Sequence, residues 1–319
     1  MKAIAFYKYG SPEVLKLVDL KMPEPKANEV LVRIRATAVN SGDIRLRKAD
    51  PFAVRFMLGL FAPKIHVLGS VFSGTVVKTG SQVKQFKAGD EVFGSSDLKF
   101  GTYAQFRCFS EHESIAIKPQ GISHEEAASI PFGACTALFF LQRVKIEKGQ
   151  NILIYGATGA VGTAAIQLAK YFGAEVSAVC SKENAELAYS LGAVNVLDYR
   201  TDDWMKYSKK FDIVYDTVNK LELSKIKELI KPGGTVILGA ADLKNMLRGS
   251  ILGIFRSIKV KFGMIKHDQN AMEFIKKLVA EGHLRPVVDR IYDIEQMAEA
   301  HQYAELGHKK GNVAIKIGD

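Results

Sequence analysis

From Gln150 to Tyr171 the chain reads Q-N-I-L-I-Y-G-A-T-G-A-V-G-T-A-A-I-Q-L-A-K-Y, a stretch whose glycines stand where a backbone could meet an anion. Asn151–Tyr155 is a short β-branched and apolar run, which predicts a strand buried on both faces. Val161, Ala164, Ala165, Leu168 and Ala169 then recur at helical spacing. Strand, glycine turn and helix in that order form the phosphate-binding unit of a dinucleotide fold, because the first N–H groups of a helix are unpaired and attract anions. A pyrophosphate reaches those groups only where no side chain holds it off. Gly159 is expected to allow that approach, and Gly162 to let the helix lie against the strand. Ala157 stands where the first glycine of G-x-G-x-x-G usually falls, with Gly156 just before it. The alternative for this loop by itself is a tight strand-to-helix turn in another kind of α/β protein.

The elements that must position this loop divide the chain by texture. Up to about Pro119 the pattern is all β: Val14–Leu20, Val30–Val39, Phe72–Thr79, Glu91–Phe93, Thr102–Phe106 and Ser114–Ile117 are short runs broken by Gly, Pro, Asn and Asp. An apolar insertion, Pro51 to Pro63, carries Phe52, Phe56, Leu58, Leu60 and Phe61; it reads either as a local helix over the β core or as a wall of an apolar cleft. Ser123-x-x-Glu126 is a capping box that opens a helix running towards Pro131, and Thr136 to Gln142 is a second helical stretch. Strands and helices then alternate: Val176–Cys180, Asn184–Leu191, Val194–Leu197, Phe211–Asp216, Leu221–Ile230 and Thr235–Leu238. That alternation predicts a parallel sheet with crossover helices. Pro232-Gly233-Gly234 is expected to end a helix. Lys244–Ile258 reads as a helix, Val260, Phe262 and Met264 as a strand, and Asn270–Glu281 as an amphipathic helix. Val287–Ile291, a helix from Asp293 with Gln296 as box partner, and the strand Val313–Ile317 follow.

With 319 residues the chain is long enough for two domains with separate cores. Nearly half the residues are apolar and the charges are mixed, as in a folded globular protein. The opening M-K-A-I-A-F-Y-K alternates like an edge strand and is too short for the apolar core of a signal peptide. Cys108, Cys135 and Cys180 are far apart and odd in number, which reads as reduced thiols in a cytoplasmic compartment. The net charge of +10 raises nucleic acid as a partner, but the lysines are scattered and not interleaved with aromatics, so no nucleic acid is expected. A basic surface also favours an anionic cofactor through its long-range field.

Several words in this order resemble the medium-chain dehydrogenase/reductase superfamily, and specifically its zinc-free quinone oxidoreductase branch. They are Gly10-Ser11-Pro12-Glu13-Val14-Leu15, Ala38-Val39-Asn40-Ser41-Gly42-Asp43, Lys87-Ala88-Gly89-Asp90-Glu91-Val92-Phe93-Gly94, Gly101-Thr102-Tyr103-Ala104, and Leu191-Gly192-Ala193 leading to Asp198-Tyr199. The resemblance covers nearly the whole chain. It implies an α/β fold with a GroES-like β domain (residues 1–122 and 268–319) and a Rossmann domain with a doubly wound parallel sheet (residues 123–267), the active site lying between them. Zinc relatives carry Cys where this chain has Asn40, and His-Glu where Gly69 is followed by Ser70-Val71. Their second thiolate aligns with Phe132, and no cysteine lobe occurs between Val92 and Gly101. No metal is therefore expected. Without a Lewis acid the charge left by hydride delivery should be spread by the substrate itself, as a quinone or an α,β-unsaturated ketone or aldehyde does.

The second Rossmann strand ends at Val179-Cys180, followed by Ser181-Lys182 and no carboxylate until Glu183. An acid at that position would select the NAD ribose, whereas a hydroxyl and an ammonium suit a 2′-phosphate. NADPH is expected over NADH; the alternative is that Lys182 only begins a solvated helix. By resemblance, Tyr199 lies against the same phosphate, Asn40 beside the nicotinamide and the substrate oxygen, and Thr136 near the ring. Gly159, Ala160 and Val161 line the pyrophosphate; Val218, Gly239, Phe262, Gly263 and Met264 cradle adenosine and the nicotinamide amide, and Asn312 is a weaker candidate. Asp43 reads equally as a turn-bonding residue or a site residue. Relatives often have Gly where Asn219 stands. A homodimer through edge strands containing Val236 and Val260 is implied by the family alone. Two rival readings stay open: a nucleotide-binding protein with little turnover, serving as a structural or redox-sensing component, and a quinone reductase that dips Pro51–Lys64 and Leu243–Lys261 into a membrane.

Overall fold

In the computed structural model the chain forms two compact units, Met1–Phe132 with Lys266–Asp319, and Gly133–Ile265. The structure describes residues 1–201, 210–222, 226–240, 258–263, 265 and 268–318. The first unit opens with β1 (Lys2–Ala5), β2 (Lys16–Asp19), β3 (Glu29–Val39), α1 (Ser41–Lys48), α2 (Val54–Leu58), β4 (Val71–Thr79), β5 (Glu91–Ser95), β6 (Phe106–Ser110), β7 (Ser114–Ile117) and the start of α3 (His124–Val144). The second holds β8 (Asn151–Tyr155), α4 (Ala160–Tyr171), β9 (Glu175–Cys180), α5 (Ala185–Leu191), β10 (Asn195–Asp198), β11 (Phe211–Asp216), α6 (Ile226–Leu229), β12 (Ile230–Leu238) and β13 (Lys259–Lys261). The chain returns to the first unit with α7 (Gln269–Ala280), β14 (Val288–Asp293), α8 (Met297–Glu305) and β15 (Asn312–Lys316).

In the first unit the main sheet runs β14-β15-β3-β4-β5-β7, and β6 also pairs with β3. The long β3 serves three partners, β4 over Val30–Ala36, β6 over Glu29–Arg33 and β15 over Ala36–Val39, and register shifts at Leu31/Val32 and Ile34/Ala36 interrupt its pairing with β4. Phe6, Ile34, Phe72, Val92, Phe109 and Ile315 fill its core, with the Phe72 and Phe109 rings stacked at 4.0 Å. The second unit's sheet runs β10-β9-β8-β11-β12-β13 with every pair parallel. In sequence terms this is the order 3-2-1-4-5-6, which opens a ligand crevice at the carboxyl ends of β8 and β11, where the winding reverses.

Several expectations change. The two helical stretches around Pro131 are one helix, α3, with Pro131 inside it. The capping box is present: Ser123 N–H donates to Glu126 Oε2 at 2.8 Å, and Glu126 N–H to Ser123 Oγ at 3.1 Å. An interior proline removes one helical bond. Here the buried Ala127, Ala128, Ala134, Ala137 and Leu138 keep the helix in the core on both sides of it. α3 is long and apolar enough to cross a membrane, but it is largely buried within the protein.

The run Thr102–Phe106 is not one strand. Tyr103 N–H bonds to Leu68 O and Tyr103 O accepts from Ile4, so this segment is shared between two neighbours and regular pairing starts at Phe106. Pro232-Gly233-Gly234 lies within β12 and not after a helix; a register shift opposite Phe211/Ile213 and the positive φ of Gly233 accommodate it. Val236 is therefore in an interior strand, fully buried, and not at a sheet edge. The insertion forms the short α2, with Leu58 buried, but Phe52, Phe56 and Phe61 face outward, so these rings do not cover the β core. Lys244–Ser257 and Met264 lie outside the described residues.

Candidate active site

The second unit holds the nucleotide-binding turn. β8 ends at Tyr155, and Gly156 turns the chain with φ +76°, a conformation that favours glycine. A side chain there would also meet Thr217 Oγ1 at 2.7 Å and Val218 Cγ1 at 2.6 Å. Ala157, in the place of the usual first glycine, is fully buried and donates its N–H to Val179 O at 3.2 Å, so an alanine fits once Gly156 has made the turn. A Cβ on Gly162 would stand 2.2 Å from Gly156 O; this glycine lets α4 close on the loop. Gly159 differs. A Cβ there meets nothing nearer than Gly156 O at 3.6 Å, and the residue is extended. Gly159 caps α4 with no side-chain hydrogen bond, leaving the first-turn N–H groups to a ligand. The fold does not require glycine at 159, whereas a close-approaching pyrophosphate does. The turn therefore fits the phosphates of a dinucleotide.

Val218 and α3 adjoin this turn, while Gly239 and Phe262 follow the carboxyl ends of β12 and β13. The α3 backbone touches the turn directly, since a Cβ on Gly133 would lie 2.2 Å from Ala160 O. Thr136, buried and one helical turn further on, shares that face of α3. The loop after β11 is shaped by Asp216, whose carboxylate accepts from Val218, Asn219 and Leu221 N–H, each at 2.9 Å. Burial pushes the Asp216 carboxyl up. Asn219 has φ +57°, a left-handed conformation that Gly favours and Asn tolerates. Gly239 packs against the Tyr215 ring, and Phe262 against the unit's core beside Val260.

At the end of β9 the nearby carboxylates are already engaged. Asp198 Oδ2 accepts from Lys182 N–H at 3.2 Å and from Arg200 Nη2 at 2.9 Å, and Arg200 Nη1 reaches Glu183 at 2.9 Å. The Arg200 hydrogen bonds hold Asp198 down at about 2. One guanidinium thus neutralises the acids nearest Ser181, and among the described residues the Lys182 ammonium has no carboxylate partner. Arg200 was not among the sequence candidates; its position directly after Tyr199 is the only signal it leaves. Replacing Lys182 by alanine should lower the preference for NADPH over NADH roughly tenfold, read as the ratio of kcat/KM values, as expected for one charged hydrogen bond at a solvated site. An unchanged ratio would remove Lys182 from the phosphate site.

The first unit holds Asn40, Asp43 and Asn312. Asn40 caps α1 in a two-way box: its Oδ1 accepts from Asp43 N–H at 3.1 Å, and its N–H donates to Asp43 Oδ2 at 3.3 Å. Asp43 reaches further. Its Oδ1 accepts from Gly69 N–H at 3.1 Å, and its Oδ2 from the Tyr103 hydroxyl at 3.1 Å. Asp43 thereby ties α1 to the turn before β4, where Gly69 has φ +86° and no room for a Cβ against Thr102 and Tyr103. Asp43 is 1% exposed, and burial lifts its carboxyl to about 7 despite these hydrogen bonds. Tyr103 continues to His301 at 3.1 Å, whose imidazole burial pushes down to about 3. From the same turn Ser70 Oγ accepts from Asn40 Nδ2 at 3.0 Å. Asn312, one residue beyond the Val313–Val39 pair, lies beside Asn40 rather than in the nucleotide unit, and its amide donates to Val287 O at 3.1 Å. Among the described residues no three His, Cys, Asp or Glu side chains converge as metal ligands.

Residues 26–125 match the family described as alcohol dehydrogenase GroES-like domain, and residues 191–315 the family described as zinc-binding dehydrogenase. The chain is 35% identical to a 2-methylene-furan-3-one reductase of Solanum lycopersicum, over 99% of this chain and 79% of that one. It is 31% identical to an NADPH-dependent alkenal/one oxidoreductase of Arabidopsis thaliana, with the same coverage of 99% and 79%. Among solved structures it matches a quinone oxidoreductase from Coxiella burnetii with a TM-score of 0.90 at 31% identity, covering 100% and 99% of the two chains. With the nucleotide turn, the parallel sheet and the Asn40 loop on the family pattern, the chain belongs to the quinone oxidoreductase-like branch of the medium-chain dehydrogenase/reductase superfamily.

Proposed function

We propose that the protein is an NADPH-dependent reductase that passes hydride to a conjugated acceptor, a quinone or an α,β-unsaturated ketone or aldehyde, without a metal. The observation that carries this is the pair Asn40–Ser70: where a thiolate and an imidazole could hold zinc, an amide and a hydroxyl are hydrogen-bonded to each other at 3.0 Å. Neutral donors suffice for an oxygen whose charge is already delocalised over a conjugated system, and not for a bare alkoxide. Names of relatives acting on enones, alkenals and quinones support the same substrate class.

Bound NADPH supplies the hydride. The chain's part is to hold it: first-turn N–H groups of Ala160 and Val161 for the pyrophosphate, Gly159 for clearance, Ser181, Lys182 and Tyr199 for the 2′-phosphate, and Thr136, Val218, Gly239, Phe262 and Gly263 for the rest. Asn40 stands beside the nicotinamide and the acceptor oxygen; Met264 and Asn312 remain family-based assignments. The exposed rings of Phe52, Phe56 and Phe61 suit contact with a small apolar substrate better than with a membrane, because Arg55 sits over the Phe52 and Tyr9 rings and keeps charge among them. A cytoplasmic homodimer joined at the edge strand β13, which carries Val260, completes the proposal.

Steady-state NADPH oxidation with a panel of enals, enones, quinones and secondary alcohols tests it. Turnover is expected on the conjugated acceptors, with no loss after chelator dialysis. Turnover confined to simple alcohols and ketones, or none on any acceptor, would reject it.

A further inference from the structure

We propose that the Ser70 hydroxyl is the donor that meets the acceptor's oxygen, and that Asn40 acts through it. This rests on the reductase assignment above and specifies which atom contacts the substrate. The orientation of Asn40 is set by the backbone: Oδ1 takes the Asp43 N–H at 3.1 Å, so Nδ2 must face Ser70 Oγ at 3.0 Å. Turning the amide over would set two donors against each other. An amide nitrogen only donates, so Ser70 Oγ is the acceptor in this bond and its own proton points elsewhere. No acceptor for that proton is found among the described residues.

Exposure separates the two groups. Asn40 is 5% exposed, whereas Ser70 is partly open to solvent, so the end of the pair that a substrate can reach is the hydroxyl. Ser70 is also held in place. Its carbonyl accepts from Ser96 N–H at 2.7 Å, and the neighbouring Gly69 N–H is fixed by Asp43 at 3.1 Å. A hydrogen bond into the lone pair of a hydroxyl polarises its O–H and makes it the stronger donor. The ligand class that fits is an oxygen gaining negative charge. The hydroxyl keeps its proton throughout; it stabilises the anion, and solvent protonates the product.

The contribution should follow how localised that charge is. An enolate oxygen carries more of it than a hydroquinone anion, so loss of the donor should slow enones more than quinones. For Ser70→Ala we expect kcat to fall roughly 30- to 100-fold with enones and less than about threefold with quinones, with KM for NADPH unchanged. Ser70→Thr should recover most of the enone rate, and Ser70→Cys, close in volume but a weak donor, should behave like alanine. Titration of the NADP⁺-loaded protein with 4-nitrophenolate gives a readout without turnover, and its affinity should drop roughly tenfold in Ser70→Ala and Ser70→Cys. Equal losses on both acceptor classes, or unchanged nitrophenolate binding, would reduce Ser70 to a structural partner of Asn40. If the unsubstituted protein reduces neither class, the reductase assignment falls, and the nitrophenolate titration still decides whether Ser70 binds an oxyanion.

Discussion

Asp43→Ala is expected to lower stability by on the order of 3–5 kcal/mol and to abolish turnover, because one carboxylate satisfies donors from three separate segments. Asn40 N–H, Gly69 N–H and the Tyr103 hydroxyl all end on it, and the site is 1% exposed. Without it these donors stay unpaired in a dry interior, and the two turns that carry Asn40 and Ser70 lose their common tie. The effect should depend on pH, with a sign that can be worked out. The folded-state pKa of about 7 lies above the ordinary carboxyl value, so the folded protein binds the extra proton between the two. The associated stabilisation is full below about pH 4 and is lost as pH rises towards 7, with an amplitude on the order of 4 kcal/mol. Urea unfolding from pH 5 to 8 should therefore show the gap between the parent protein and Asp43→Ala shrinking as pH rises. A gap of constant size would mean that Asp43 stays ionised throughout.

The two glycines of the nucleotide turn should fail in different ways. In Gly162→Ala the new methyl lies 2.2 Å from Gly156 O and 2.6–2.7 Å from Ala157 backbone atoms, none of which is the free end of a side chain. The helix must move off the loop, at a cost of about 3 kcal/mol or more, and cofactor binding should be lost with it. In Gly159→Ala the methyl meets nothing nearer than 3.6 Å and the backbone is ordinary, so the melting temperature should stay within about 2 °C. NADPH affinity should nevertheless fall at least about tenfold, because the methyl occupies the approach of the pyrophosphate. Thermal melts beside fluorescence titration separate the two. If Gly159→Ala bound NADPH normally, the phosphates would not lie over this turn.

What could be read from the residues depended on the range of the interaction. Gly156, Gly159 and Gly162 were legible because glycine spacing reports backbone geometry within a few residues. The parallel sheet followed from the alternation of short apolar runs with helices, whereas its strand order did not. The Asn40–Asp43 cap was also local, which is why Asp43 already read as a turn-bonding residue. The bond from Asn40 to Ser70 was not legible, since it joins two turns that only the sheet brings together. Arg200 was missed in part for a similar reason: its bonds to Asp198 are local, but its reach to Glu183 depends on the β9–β10 arrangement. Pro131 misled because a local rule about proline was outweighed by the burial of the alanines and leucines around it.

The residue that begins α1 is also the one that aims the Ser70 hydroxyl. Most helix ends fray first, but this one is closed by a two-way cap and nearly buried, so the Asn40 amide is released only when the first unit opens. Loss of activity on warming would then coincide with the loss of that unit's ellipticity. A tighter first turn in α1 would raise the working temperature of such a catalyst without touching its chemistry.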